Sequence, residues 1–221
     1  MSFQNKLSPY IDIVHPKRFK DFINKSKNIQ GLKPSFYNVL IATIITLLFT
    51  VLQNTALIKV LKNNIPTDPA QAATTKEFLF ILERTLAPEI IVVNFIIAIA
   101  FFYILQYLFH LIIKLLGGKG SFNSHAYLMS ILYVCFILVS LLIFAILLLL
   151  YNNRQPDALI GILALFVLVY ILYIFYSILR GLHNLSLLTA IIAIAVFIAI
   201  FIFMSSALER ALLRLILNPV T

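Results

Sequence analysis

The chain has 221 residues, enough for one or two soluble domains, but 62% are hydrophobic and only 11% charged, against roughly 45–50% and 25% in soluble domains. A mean hydropathy of +1.03 means more apolar surface than a globule of this size can hide, which excludes a water-soluble protein and indicates an all-α, polytopic membrane protein. The single cysteine, Cys135, excludes an intramolecular disulfide and a cysteine-based metal cluster.

The net charge of +9 is concentrated at the front. Residues 1–36 carry Lys6, Lys17, Arg18, Lys20, Lys25, Lys27 and Lys33 against Asp12 and Asp21. Because this excess flanks a membrane span, it reads as a topology signal and an attraction to anionic lipid, with contacts through Lys17, Arg18, Lys20, Lys25, Lys27 and Lys33, not as a nucleic-acid patch. Within it, Pro16–Lys27 places Phe19, Phe22 and Ile23 on one helical face with lysines around them, the pattern of a helix lying on a lipid surface. Residues 1–36 are therefore expected to form a basic tail with an interfacial helix, and 37–221 a five-helix membrane domain. No cleavable signal peptide is expected, since the first long apolar run begins only after residue 36.

Five stretches reach the roughly 20 apolar residues that cross a bilayer: Tyr37–Ile58, Ile90–Ile113, Tyr127–Tyr151, Ala158–Leu179 and Leu185–Leu208. None alternates with period two, so a transmembrane barrel is excluded and a five-helix bundle follows. Between the first two, Pro66–Ala73 reads as a flexible connector. Thr75–Leu86 reads as a short amphipathic helix capping the outer face through Phe78, Leu79, Leu82 and Leu86. The short Arg180–Asn184 turn makes the last two spans an antiparallel hairpin. An inside N-terminus leaves ten Lys and Arg on that face (the seven above with Lys114, Lys119 and Arg180) and seven opposite (Lys59, Lys62, Lys76, Arg84, Arg154, Arg210 and Arg214). The N-terminus is accordingly expected in the cytoplasm and the C-terminus outside.

Chemistry is sparse. All eight acids lie at span ends or in loops, which leaves ion-coupled transport little to work with. His110 and Lys114 fall in the last turn of the second span, where snorkelling accounts for them. The four histidines, His15, His110, His125 and His183, do not pair at i,i+4, and only His110 and His125 stand on facing ends of neighbouring segments. No metal site, cofactor or catalytic set is expected. The loop Gly117-Gly118-Lys119-Gly120-Ser121 lacks the spacing of a phosphate cradle and reads as a helix stop and flexible turn, with Ser121 or Asn123 capping the next helix. Thr43, Thr46, Gln53, Asn54, Asn94, Gln106, Ser130 and Ser140 read as interhelical hydrogen-bond partners, with Gln53, Asn54, Asn94 and Gln106 as a polar cluster that could line a path.

The glycine loop opens a longer stretch, LLGGKGSFNSHAYLMSILYVCFILV, that resembles the centre of the Yip family of Ypt/Rab-interacting membrane proteins, where a GGKGSF-like loop (here Gly117 to Phe122) leads into the third of five membrane helices. A second stretch, YIFYSILRGLHNLSLLTAIIAIAVF, is similar to the family's fourth-to-fifth helix turn, here His183-Asn184-Leu185-Ser186 with Ala190. The resemblance covers roughly residues 15–210. It implies a five-helix bundle with a cytoplasmic N-terminus, and in eukaryotes it implies Golgi and vesicle membranes, Rab GTPase binding and hetero-oligomers. The chain lacks the long polar N-terminal domain and DLYGP-like motif of that branch, so Rab binding is not carried over. It looks more like the short bacterial and archaeal relatives, which points to a prokaryotic cell membrane, with a eukaryotic endomembrane as the alternative. The expected function is a non-enzymatic scaffold or adaptor in membrane organisation or trafficking-like processes, associating with itself or other membrane proteins. The alternative is a transporter, channel or permease-like subunit for a small solute.

Overall fold

A computed structural model describes residues 3–150 and 157–217, without the side chains of 3–7, 16–17, 146–150, 157–160, 163–164 and 215–217. Among the described residues the chain forms eight α-helices and no strand: α1 (Phe3–Val14), α2 (Pro16–Ser26), α3 (Lys33–Asn63), α4 (Pro69–Thr85), α5 (Pro88–Leu115), α6 (Phe122–Leu150), α7 (Asp157–His183) and α8 (Leu187–Leu217). Five of these, α3, α5, α6, α7 and α8, are long and apolar enough to cross a membrane, so the chain is a multi-pass membrane protein of the expected class. Each of the five predicted spans overlaps one of them. Tyr151, the expected end of the third span, lies outside the described residues.

Contacts divide the chain into two units, Met1–Ala42 with Tyr103–Ile198, and Thr43–Phe102 with Ala199–Thr221. The expected boundary at residue 36 is not the line of division, because the basic segment packs into the first unit. α1 was not foreseen. Its Ile13 is buried, and the Tyr10 hydroxyl donates to Asn38 Oδ1 at 2.7 Å, while Asn38 Nδ2 donates to Ser130 Oγ at 2.9 Å and Ser130 in turn donates to the Tyr127 carbonyl at 2.7 Å. This chain of bonds links α1, α3 and α6 and gives every member a partner, which buried polar groups require. Burial raises the Tyr10 phenol above its ordinary pKa.

α2 coincides with the predicted amphipathic helix, but its apolar face meets protein. Phe19, Phe22 and Ile23 are buried; Phe22 lies 6.4 Å from the Tyr127 ring, and Ile23 sits so close to Gly181 on α7 that a Cβ there would meet Ile23 Cγ2 at 3.0 Å. The expectation that this face lies on lipid is thereby corrected: α6 and α7 supply an apolar surface on which each large side chain gains about 1.5–3 kcal/mol on leaving water. Arg18, Lys20, Lys25 and Lys27 remain exposed, as does Lys33. Lys17 falls among the side chains not described.

In the second unit, α4 begins earlier than expected. Asp68 accepts from the Gln71 amide at 3.2 Å and Pro69 occupies the first turn, so the proline-rich stretch read as a connector is a helix start. Leu79 and Leu82 are buried there, whereas Phe78 is exposed. Asn54 donates to Thr85 Oγ1 at 3.0 Å, and Lys62–Glu83 and Arg84–Glu89 pair at 2.6 and 3.1 Å.

Candidate functional site

The two stretches that carry the family resemblance meet in the first unit, and the meeting is built residue by residue. α5 stops at Gly117, whose φ of +86° suits a residue without a Cβ. The Gly118 amide bonds the Ile113 carbonyl at 2.9 Å and the Gly117 amide bonds the Lys114 carbonyl at 3.0 Å, a Schellman stop. The loop expected as a flexible turn is held at close quarters. A Cβ on Gly118 would strike Ile113, including its carbonyl oxygen at 2.8 Å, and one on Gly120 would lie 2.7 Å from His183 Nδ1. The Lys119 amide donates to the His183 carbonyl at 3.1 Å. Ser121, not Asn123, caps α6 by accepting from the Ser124 amide, and Phe122 packs edge-on against Tyr107 at 5.7 Å.

The second stretch answers the first. α7 runs through to His183, so the turn begins four residues later than the Arg180 start expected from sequence. Asn184 adopts φ +55°, a conformation that asparagine tolerates better than most residues. Ser186 caps α8 by accepting from the Thr189 amide, and Leu185 and Ala190 are buried.

At the junction lie three histidines. His110 comes from the last turns of α5, His125 from the first turn of α6 and His183 from the end of α7, and a ligand nitrogen from each falls within 4.8 Å of the others. The rings form a near-equilateral triangle with centroids 5.2, 5.6 and 5.6 Å apart. His125 and His183 are fully buried and His110 is 7% exposed. His125 Nε2 lies 3.1 Å from Gln106 Oε1, and His125 Nδ1 lies 3.1 Å from His183 Nε2. An amide oxygen only accepts, so Gln106 fixes the proton of neutral His125 on Nε2 and leaves its Nδ1 lone pair facing His183. His110 Nδ1 and His183 Nδ1 are buried without a partner. The expectation that only His110 and His125 face one another is corrected: the fold brings His183 to them as well, from a segment too far away in the chain for spacing to register.

A second feature lies beside this node. α2 and α7 enclose a groove of about 670 Å3 lined by Lys20, Lys27, Tyr176, Arg180 and Asn184 among others, with Arg180 donating to the Tyr176 hydroxyl at 3.1 Å. Its basic lining suits an anionic group.

The residues of the predicted polar cluster fall in both units. Gln106 is engaged with His125, whereas Gln53, Asn54 and Asn94 belong to the other unit. There Asn54 bonds Thr85, Gln53 is exposed, and Asn94 lines a largely apolar cleft with Phe101, Phe201, Ser205 and Glu209.

Compared with known proteins, the chain matches the family model of the Yip1 domain over residues 13–208. No curated protein and no solved structure matches.

Proposed function

The chain belongs to the Yip1 domain family, and from that premise we propose that it is a non-enzymatic scaffold or adaptor, its N-terminus cytoplasmic, that engages anionic lipid headgroups and partner membrane proteins in membrane organisation or trafficking-like processes. One observation carries this reading. α2 buries Phe19, Phe22 and Ile23 against α6 and α7 and turns Arg18, Lys20, Lys25 and Lys27 outward, so a basic surface is fixed to the bundle instead of swinging on a tail. A fixed array of cations holds a defined register against headgroups. Lys20 and Lys27 also join Arg180 around the α2–α7 groove, where a headgroup phosphate would find several donors at once.

Association with other chains is the second half of the proposal. The described spans keep many large apolar residues exposed, Leu168, Val169 and Tyr173 on α7 and Ile191, Ile202 and Phe203 on α8 among them, and such faces accept lipid or a neighbouring helix. The test is crosslinking in the native membrane at native expression, followed by mass spectrometry of what stays attached. Recurrent membrane partners or self-crosslinks are expected. A strictly monomeric protein with no recurrent partner overturns the scaffold reading.

A further inference from the structure

We propose that His110, His125 and His183 bind one zinc-class transition-metal ion, fastening the ends of α5, α6 and α7 together, and that Gln106 positions His125 for it. Geometry carries the assignment. Metal–imidazole bonds of about 2.0–2.1 Å in a tetrahedral arrangement place ring centroids roughly 5.2 Å apart and ligand nitrogens roughly 3.3 Å apart. The rings stand 5.2, 5.6 and 5.6 Å apart, and His125 Nδ1 and His183 Nε2 stand 3.1 Å apart. The ring spacing is that of an ion site and the His125–His183 pair already has its nitrogen spacing; the three ligand nitrogens lie within 4.8 Å of one another, so the His110 ring has to move inward on binding.

Burial and bonding point the same way. Three imidazoles gathered merely to fill space would be poor packing, because His110 Nδ1 is buried with no hydrogen-bond partner, and an orphaned buried polar atom is costly. Gln106 behaves as the partners behind metal-bound histidines do: it takes the Nε2 proton of His125 and so presents the Nδ1 lone pair to the centre. When the ion binds, His183 carries its proton on Nδ1 and offers Nε2, so it coordinates as a neutral ring and no net proton is lost.

The donor set selects the ion. It has no carboxylate and no thiolate: Cys135 lies ten residues beyond His125 on α6, about 15 Å along the helix. Neutral imidazoles suit zinc and its borderline neighbours, not the oxygen-seeking magnesium or calcium. Since Gln106 holds the back of His125, it is not the fourth ligand, and that position falls to water or a small anion. α6 has 29 residues, about 43 Å of helix against roughly 30 Å of hydrocarbon. That length lets its first turn, with His125, reach the aqueous boundary from which an ion would arrive.

The test uses the full chain, purified without a histidine tag, reconstituted in lipid nanodiscs, stripped with chelator and reloaded with Zn2+ alone. About one zinc per chain is expected by elemental analysis, and Co2+ loaded in its place should give the visible bands of a tetrahedral nitrogen site. His110→Ala should weaken zinc affinity at least 100-fold. Gln106→Leu should keep the stoichiometry at saturating zinc with about 10- to 100-fold weaker affinity, and Gln106→Glu, which still accepts the His125 proton, should restore it. His15→Gln should change nothing. A folded wild-type chain that retains no zinc after reloading overturns the proposal, as does zinc binding that survives His110→Ala or is lost in His15→Gln. The cobalt spectrum of the wild-type chain decides the matter even if a histidine variant fails to fold.

Discussion

The two units are built from the same apolar alphabet, yet they keep most of their polar groups in different places. In the first, polar side chains are fully buried and bonded to one another: Ser130, Ser124, His125 and His183 have no exposed surface, and Ser124 reaches across to the Lys27 carbonyl at 3.0 Å. In the second, Thr43 is buried and the Asn54–Thr85 bond is half-buried, but the charged groups stay at the rim, in the exposed Lys62–Glu83 pair, the Arg84–Glu89 pair and the Asp68 cap. Glycine makes the difference. Gly118, Gly120 and Gly181 let backbones and side chains of the first unit approach to distances that a Cβ would forbid, and close approach lets short polar side chains find partners.

That contrast is broken most severely at Gly118. A Cβ there must displace Ile113, a fully buried residue, and also meets its backbone oxygen at 2.8 Å, which cannot rotate away. Gly118→Ala should destabilise the first unit by about 3 kcal/mol. Gly117→Ala next door, where nothing lies within 4 Å but φ is +86°, should cost only about 1 kcal/mol, the penalty of a left-handed residue. Unfolding of both variants in the same mixed micelles checks the ratio. Equal losses would mean that conformation, not space, governs the loop.

Next comes the network through Ser130. Ser130→Ala removes the acceptor of Asn38 Nδ2 and leaves a buried amide hydrogen without a partner, at about 2 kcal/mol. A combined Tyr10→Phe/Asn38→Leu/Ser130→Ala variant, which also removes the hydroxyl that donates to Asn38, should recover part of that loss. No recovery in the combined variant would show that the bond is not the source.

Much of this was legible in the chain, and the limits have physical causes. Spans were readable because hydrocarbon thickness sets helix length, and the Gly117 stop because glycine so often ends helices. α1 escaped notice because Pro9 and Ser8 interrupt a short apolar pattern, and its order comes from the bond of Tyr10 to Asn38 on α3 and from the burial of Ile13. The apolar face of α2 was read correctly, but its occupant was not, since periodicity says which side is buried and never against what. The histidine triangle was missed because His125 and His183 stand 58 residues apart. A signal was available nonetheless: the end of the second span, the start of the third and the end of the fourth must share one side of the membrane, and each carries a histidine.

The second unit should respond more gently and locally. Asp68 gives α4 its first-turn acceptor, and Asp68→Ala should cost about 1 kcal/mol, read as faster amide exchange at Gln71 and Ala72. Exchange that leaves those amides unchanged and rises in α6 would contradict the local account.

The smallest effect belongs to Lys62–Glu83. At 2.6 Å it is a short contact, but its side chains are 56% and 48% exposed, so solvent screens the attraction and two long side chains are held in place for little gain. Lys62→Met should therefore shift stability by no more than about 0.5 kcal/mol, and raising salt should erase even that difference. If the variant instead lost as much as Ser130→Ala, and kept losing it at high salt, the pair would be acting as a desolvated anchor. The rim of the second unit would then resemble the core of the first, and the contrast between them would fail at its exposed end.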